Sequence, residues 1–318
     1  MKIRLLADQY IAYGKSLGAK FKSAAYTLRA FCRFVGDEAD IKRVREDQVN
    51  AFLAGGEGQS IARWQQKYGT LRVFYDYAIS SGCVATAPLP AKRPKCTKSF
   101  EAYIYSVEEL KKILRENGSH GRKFKLEPLT IHSLLLLLYG TGLRIGEALA
   151  LTYGDVDIST KLITVSDTKF FKTRLVPVGQ QLHGALERYV ESRRQAGHSQ
   201  NVDSPFFVTR SGASPTLALV ERAFRRLCIR AGVTRSDGSR LQPRLHDLRH
   251  TFAVHRLIAW YREGANNVQN LVPHLATYLG HVHLSSTQVY LKMTPELLQQ
   301  ASLRFEQYAI AMKEDFHE

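Results

Sequence analysis

The chain has 318 residues, 44% hydrophobic and 23% charged, which is ordinary for a globular protein and long enough for two domains with separate cores. Its charge is not ordinary: 45 Lys and Arg against 29 Asp and Glu leave +16, which suits a polyanion without by itself separating nucleic acid from an anionic membrane surface. The longest apolar run, Leu134–Tyr139, is far short of the ~20 residues of a membrane span, Met1-Lys2-Ile3-Arg4 leads into no secretory signal, and Cys32, Cys83, Cys96 and Cys228 form no C-x-x-C pair, which argues against a thiolate zinc site or a disulfide frame and for a reduced, cytosolic protein.

In chain order, the first part reads as helical. Stretches near 3–17 and 46–54 join a segment with Leu28, Phe31 and Val35 on one stripe, off which Arg29 and Arg33 lie. Ile61, Trp64, Tyr68, Leu71, Tyr75 and Ala78 then recur every three or four residues over about five turns, with Arg63 and Lys67 as further basic residues of that helix. Together these predict a four-helix unit over residues 1–85. Ser80-Ser81-Gly82 breaks the pattern, and Ala87–Lys95 holds three prolines with Lys92, Arg93 and Lys95, so residues 86–102 read as a basic linker. Residues 1–98 carry 17 Lys and Arg against 8 Asp and Glu, or +9, leaving +7 for the remaining 220. A basic helical unit on a basic linker is what a DNA grip requires, and Arg29, Arg33, Arg63, Lys67, Lys92, Arg93 and Lys95 are its candidate phosphate contacts.

The second part, residues 103–318, opens on Ser106-Val107-Glu108-Glu109, a capping box ahead of an apolar-periodic helix. A helix over about 128–140 ends at Gly140-Thr141-Gly142. Three β-rich runs follow, Val156–Ile158, Leu162–Val165 and Leu175–Val178, the last two separated by the basic turn Asp167–Arg174. Helices are expected near 181–196, 215–231, 246–262 and 267–279, with a terminal one near 295–312. The fold class is mainly α with one small antiparallel sheet.

Four segments hold residues that could manage a phosphate. Arg144, in Thr141-Gly142-Leu143-Arg144-Ile145-Gly146-Glu147, is expected at a helix start, where backbone N–H groups favour an anion and a guanidinium can fork onto two oxygens. Lys169, in the turn between strands, could donate a proton to a departing oxygen, with Lys172 and Arg174 as competitors. In Leu245-His246-Asp247-Leu248-Arg249-His250, His246 and Arg249 share a helical face. His246 and His250 also invite a zinc reading, which Asp247 and Arg249 weigh against. Finally, Leu279-Gly280-His281 is followed nine residues later by Tyr290, expected one turn into a helix begun by Ser285-Ser286-Thr287.

In this order, the arginine in T-G-L-R-x-x-E, the lysine ahead of R-L-V-P, H-x-L-R-H-T-F, L-G-H and the tyrosine nine residues on resemble the tyrosine recombinase (phage integrase-like, Xer-like) family. The match runs over about 103–292, with a helical unit and linker in front, so it covers essentially the whole chain. The long stretch between Arg249 and His281 looks like that of recombinases carried by transposons. The resemblance implies a four-helix (SAM-like) core-binding domain followed by a tyrosine recombinase catalytic domain. Tyr290 would attack a DNA phosphate to give a 3′-phosphotyrosine and a free 5′-hydroxyl. Arg144 and Arg249 would clamp the non-bridging oxygens, Lys169 would be general acid, His246 would handle the phenolic proton and His281 would donate to the phosphate. Lys169 is preferred over Lys172 and Arg174 because it lies eight residues before Pro177. Glu147, one turn after Arg144, would orient a side chain of the site, and Lys172 and Arg174 would contact DNA.

No metal and no cofactor is expected, since cations take the place a metal holds in many nucleases, and the phosphotyrosine keeps the bond energy, so no ATP is needed. The implied partners are double-stranded DNA with specific recombination sites, further copies in a homotetramer joined through the C-terminal segment Pro295–Ile310, and accessory recombination proteins, but no membrane. The expected location is bacterial cytoplasm, on the nucleoid. Two rivals are a type IB topoisomerase-like relaxing enzyme and a DNA-binding accessory protein that never cuts.

Overall fold

A computed structural model of the chain describes residues 1–18, 21–95, 102–116, 125–166, 173–236, 242–263, 268–280, 285–288, 290, 299 and 302–303. The chain divides into two compact units, the first taking residues 1–100 and the second nearly all of the remainder. Each has its own buried apolar core, as +16 on one chain with 44% hydrophobic residues allows.

The first unit is four helices: α1 (Ile3–Ser16), α2 (Lys22–Val35), α3 (Glu46–Ala54) and α4 (Ile61–Ser80). The 3.6-residue apolar repeat points Leu6 and Ile11 of α1, Leu28 and Phe31 of α2, Val49 and Leu53 of α3, and Leu71, Phe74 and Tyr75 of α4 inward. Ser60 starts α4 by accepting the Arg63 N–H at 3.3 Å. The Pro-rich segment is not free chain along its whole length. Cys83, Val84, Ala87 and Leu89 pack on this core, Gln65 Nε2 donates to Pro94 O at 3.0 Å, and Arg93 lies 5.0 Å above the Tyr68 ring. Proline rules out helix there, but it does not stop an extended segment from packing.

The second unit starts with α5 (Val107–Arg115). Its capping box forms: Glu109 N donates to Ser106 Oγ at 3.1 Å, and Ser106 N to Glu109 Oε2 at 2.8 Å. Next come α6 (Pro128–Thr141) and the short α7 (Ile145–Ala150). Leu134, Leu135, Leu137 and Leu138 are all buried, so α6 is apolar nearly all round and runs through the interior. Strands β1 (Val156–Asp157), β2 (Leu162–Val165) and β3 (Arg174–Pro177) form an antiparallel sheet in the order β1-β2-β3, with Ile163 opposite Val176 and Val165 opposite Arg174. Ile163, Val165 and Val176 face the core, and Arg174 at the start of β3 is left at its margin.

Helices α8 (Gln180–Gln195), α9 (Leu217–Arg230), α10 (Asp247–Arg262) and α11 (Val268–Leu279) follow, then the single turn α12 (Ser285–Gln288). Helices α8 and α10 pack on α6, and α11 packs on α10. The result is mainly helical with one small sheet, as the sequence pattern predicts. The expected terminal helix near 295–312 lies outside the described residues except for Gln299, Ser302 and Leu303.

Candidate active site

The site is built at the C-terminal ends of two helices. Gly142 follows α6 in the left-handed region (φ 62°), and a Cβ there would meet the Phe252 ring at 2.5 Å and Leu279 at 2.8 Å, so only glycine fits both the conformation and the space. Gly280, directly after α11, has φ 68° and lies against the Arg174 guanidinium, which an added Cβ would approach to 3.0 Å. Both turns turn carbonyls toward α10.

Arg249 on α10 ties the turns together. It is 2% exposed and donates from Nη1 to Gly142 O and from Nη2 to Leu279 O, each at 2.7 Å. Burial pulls the Arg249 guanidinium down to about 10, with Arg144 adding to the effect, and it stays charged at neutral pH. It also lies close enough to the phenol of Tyr290 to lower that group's pKa. A guanidinium has five N–H donors, so these contacts leave capacity for a further acceptor.

Arg144 is the N-cap residue of α7. The expected helix start is there, but Gly140 is still inside α6, so Gly142 alone makes the turn, and α7 has six residues, too few for a sizeable dipole. What holds Arg144 is side-chain chemistry. Its Nη1 donates to Glu147 Oε1 at 2.8 Å, its Nη2 to Gly280 O at 3.1 Å, and its backbone N to Glu147 Oε2 at 3.0 Å. Its side chain is 40% exposed, so the site opens to solvent beside Arg144 while Arg249 forms the floor.

Glu147 is shared. Arg174 Nη2 donates to its Oε2 at 2.6 Å and Arg174 Nη1 to its Oε1 at 3.3 Å. Burial alone would raise the Glu147 carboxyl, but the Arg174 pair and then the Arg144 donors outweigh it and hold it below the ordinary carboxylate range. Sequence reading placed Arg174 on DNA; the structure turns it inward instead, with 15% of its side chain exposed and both Nη groups on a carboxylate.

Tyr290 lies two residues after α12, itself in a 3-10 turn, and is 2% exposed. Burial raises its pKa, opposed by Arg249 and Arg144, and the net direction is up. In the protein alone desolvation therefore outweighs the neighbouring cations. The His250 ring packs on Tyr290 at a centroid distance of 5.5 Å, and on His246 at 5.0 Å. His246 is exposed, and partial desolvation followed by Arg249, Arg244 and Arg144 lowers its pKa, so it is neutral at pH 7. Among the described residues no third His, Cys, Asp or Glu joins this histidine pair.

Arg144, Glu147, His246, Arg249 and Tyr290 are thus brought together. Lys169, Lys172 and His281 lie outside the described residues. In the first unit, Arg29, Arg33, Arg63, Lys92, Arg93 and Lys95 are exposed, Arg29 beside Asp8 at 3.6 Å. Lys67 is half-buried; its Nζ donates to Phe52 O at 2.7 Å and lies 4.5 Å from the Phe52 ring centroid. Sequence reading offers His250 only as a zinc candidate and Arg174 only as a rival of Lys169 or a DNA contact, not in the contacts found here. The i, i+4 spacing of His246 and His250 was the available signal for the first; nothing local signals the second.

The profile of the phage integrase family matches residues 106–296. The y4rB protein of Sinorhizobium fredii, described as an integrase/recombinase, is 32% identical over 306 residues, covering 95% of this chain and 96% of that protein. A tyrosine recombinase XerC of Oceanobacillus iheyensis is 30% identical, covering 95% and 96%. Among solved structures, the Tn1549 transposon integrase with transposon right-end DNA superposes with a TM-score of 0.70 at 17% identity, covering 97% of this chain and all of that one. A lambda integrase dimer bound to a core site gives 0.64 at 17%, covering 93% and 97%. At those identities the structures speak for the fold.

Proposed function

The chain belongs to the phage integrase family and is a tyrosine-type site-specific DNA recombinase; from that premise we propose how its residues divide the work. Tyr290 is the nucleophile. Its Oη attacks the scissile phosphorus, the bond to the 5′-oxygen breaks, and a 3′-phosphotyrosine and a 5′-hydroxyl result. Lys169 gives the departing oxygen its proton. The phenolic proton goes to His246, whose lowered pKa leaves it neutral and able to accept. The unused donors of Arg249 and the open side of Arg144 clamp the non-bridging oxygens, where charge builds in the transition state. His281 adds a donor to the same phosphate. Attack by a second strand's 5′-hydroxyl reverses each step and exchanges strands without hydrolysis.

The observation that carries this reading is that the Tyr290 phenol is buried within one chain against His250 and within electrostatic reach of Arg249 and Arg144. The buried phenol with its raised pKa fits a nucleophile that stays protonated until a phosphate brings the proton acceptor and the clamp into use. The partner is double-stranded DNA carrying specific recombination sites; the transposon integrase was solved with transposon right-end DNA and the lambda integrase dimer on a core site. The first unit and the basic segment 86–102 act as the second half of a DNA clamp, with Arg29, Arg33, Arg63, Lys92, Arg93 and Lys95 on phosphates. Assembly is a homotetramer joined through the C-terminal segment, aided by accessory recombination proteins, on the bacterial nucleoid. No helix of the described residues is long and apolar enough to cross a membrane.

The test is trapping on a nicked suicide substrate. Wild-type protein forms a covalent DNA adduct and Tyr290→Phe forms none; an adduct with Tyr290→Phe refutes the assignment. Efficient relaxation of supercoiled DNA lacking any target site would favour the topoisomerase-like reading.

A further inference from the structure

A carboxylate bonded to a phosphate-clamping arginine needs a reason, since it cancels part of the charge the clamp requires. Glu147 is 12% exposed and touches both Arg144 and Arg174. Its contact with Arg144 uses one Nη and the backbone N, whereas Arg174 brings both Nη groups, one at 2.6 Å. Arg174 is therefore the partner that fixes the carboxylate, as a fork onto both oxygens does, and the fixed carboxylate in turn sets where Arg144 Nη1 sits. Arg174 also packs against Gly280, whose carbonyl is the other anchor of Arg144. Both anchors of the exposed clamp arginine thus rest on one side chain at the start of β3.

We infer that Arg174 is a positioning residue for the recombination reaction, acting through Glu147 and Gly280 to aim the Arg144 guanidinium at the scissile phosphate. This rests on the proposed roles of Arg144 and Tyr290. It differs from a DNA contact, for which a side chain 15% exposed with both Nη groups on a carboxylate is poorly placed. It also differs from a simple staple, because the two anchors it supports belong to the clamp.

The experiment measures single-turnover cleavage of a nicked suicide substrate and DNA affinity for wild type, Arg174→Ala, Arg174→Lys, Arg144→Ala and the Arg144→Ala/Arg174→Ala double variant, with thermal melting to confirm folding. Arg174→Ala cleaves about 10- to 100-fold more slowly, the usual range when the partner that orients a reactive group is removed, with affinity changed less than about twofold. Arg174→Lys restores little, since an ammonium cannot fork onto both oxygens. In the Arg144→Ala background the second change costs almost nothing, because its target is gone. A substrate with sulfur in place of the 5′-bridging oxygen, whose thiolate leaves without a proton, does not rescue Arg174→Ala. Additive losses, rescue by the sulfur substrate, or a loss of affinity equal to the loss of rate would each overturn the inference. If Arg174→Ala does not melt like wild type, Arg174→Lys carries the same comparison. Wild type and Tyr290→Phe run alongside: an inactive wild type or an active Tyr290→Phe faults the functional reading, whereas normal controls with additive losses fault only the role of Arg174.

Discussion

Arg249→Lys separates the two jobs of the buried arginine. The change keeps the positive charge but removes the fork that spans Gly142 O and Leu279 O, both 2.7 Å from the guanidinium. An ammonium at that depth reaches one of the two carbonyls. A hydrogen bond from a charged donor is worth about 1.5–3 kcal/mol, so the loss of one predicts a drop of that size in unfolding free energy, without DNA present. Removing a preorganised donor from the transition state costs about 10²–10³-fold in cleavage. Urea denaturation of the protein alone gives the first quantity and single-turnover suicide cleavage the second. A variant as stable as wild type within about 0.5 kcal/mol would refute the bridging role, whatever its activity. A stable variant that cleaves normally would refute the clamp as well.

Gly142→Ala should destabilise by about 2–5 kcal/mol, combining the left-handed backbone with overpacking against Phe252 and Leu279, measured by the same denaturation. His250 has its pKa lowered to about 4, by burial first and then by His246, with Arg244 and Arg249 also opposing a charge there. The unfolded chain therefore binds the extra proton at acid pH. Stability from this residue is full above about pH 6.5 and is lost as pH falls toward 4, by up to about 3 kcal/mol. His250→Phe should flatten that acid limb in a pH series of melts; an unchanged limb counts against it. DNA affinity should fall steeply between low and moderate salt, as a phosphate-dominated interface requires, and a flat response in a binding titration would argue against one.

The fold was legible where one periodicity was unbroken. The stripe from Ile61 to Ala78 is α4, and the Ser106–Glu109 box opens α5 as its spacing implies. The β-rich runs near 162 and 175 pair as expected because apolar alternation over four residues has few other uses. Composition misled where it ignores packing. Pro88, Pro90 and Pro94 mark a linker, yet Ala87 and Leu89 pack on the first core and Arg93 lies over Tyr68. In the site, the order of motifs singles out Arg144, Glu147, His246, Arg249 and Tyr290, which lie near one another in the fold. What it could not give was direction: Arg174 turns inward because Glu147 lies 27 residues away in sequence and beside it in space. The same holds for the raised pKa of Tyr290, which depends on burial that no local pattern reports.

The anchoring of Arg249 by Gly142 O and Leu279 O has an electrical consequence. Those oxygens terminate α6 and α11, so the guanidinium caps the negative ends of two helices at once, which favours a cation there. Neutral carbonyl dipoles steady the group without discharging it, as a directly bonded carboxylate would. The floor of the cleft therefore keeps its positive potential through the resting state, ready to meet an arriving backbone phosphate with little rearrangement of charge.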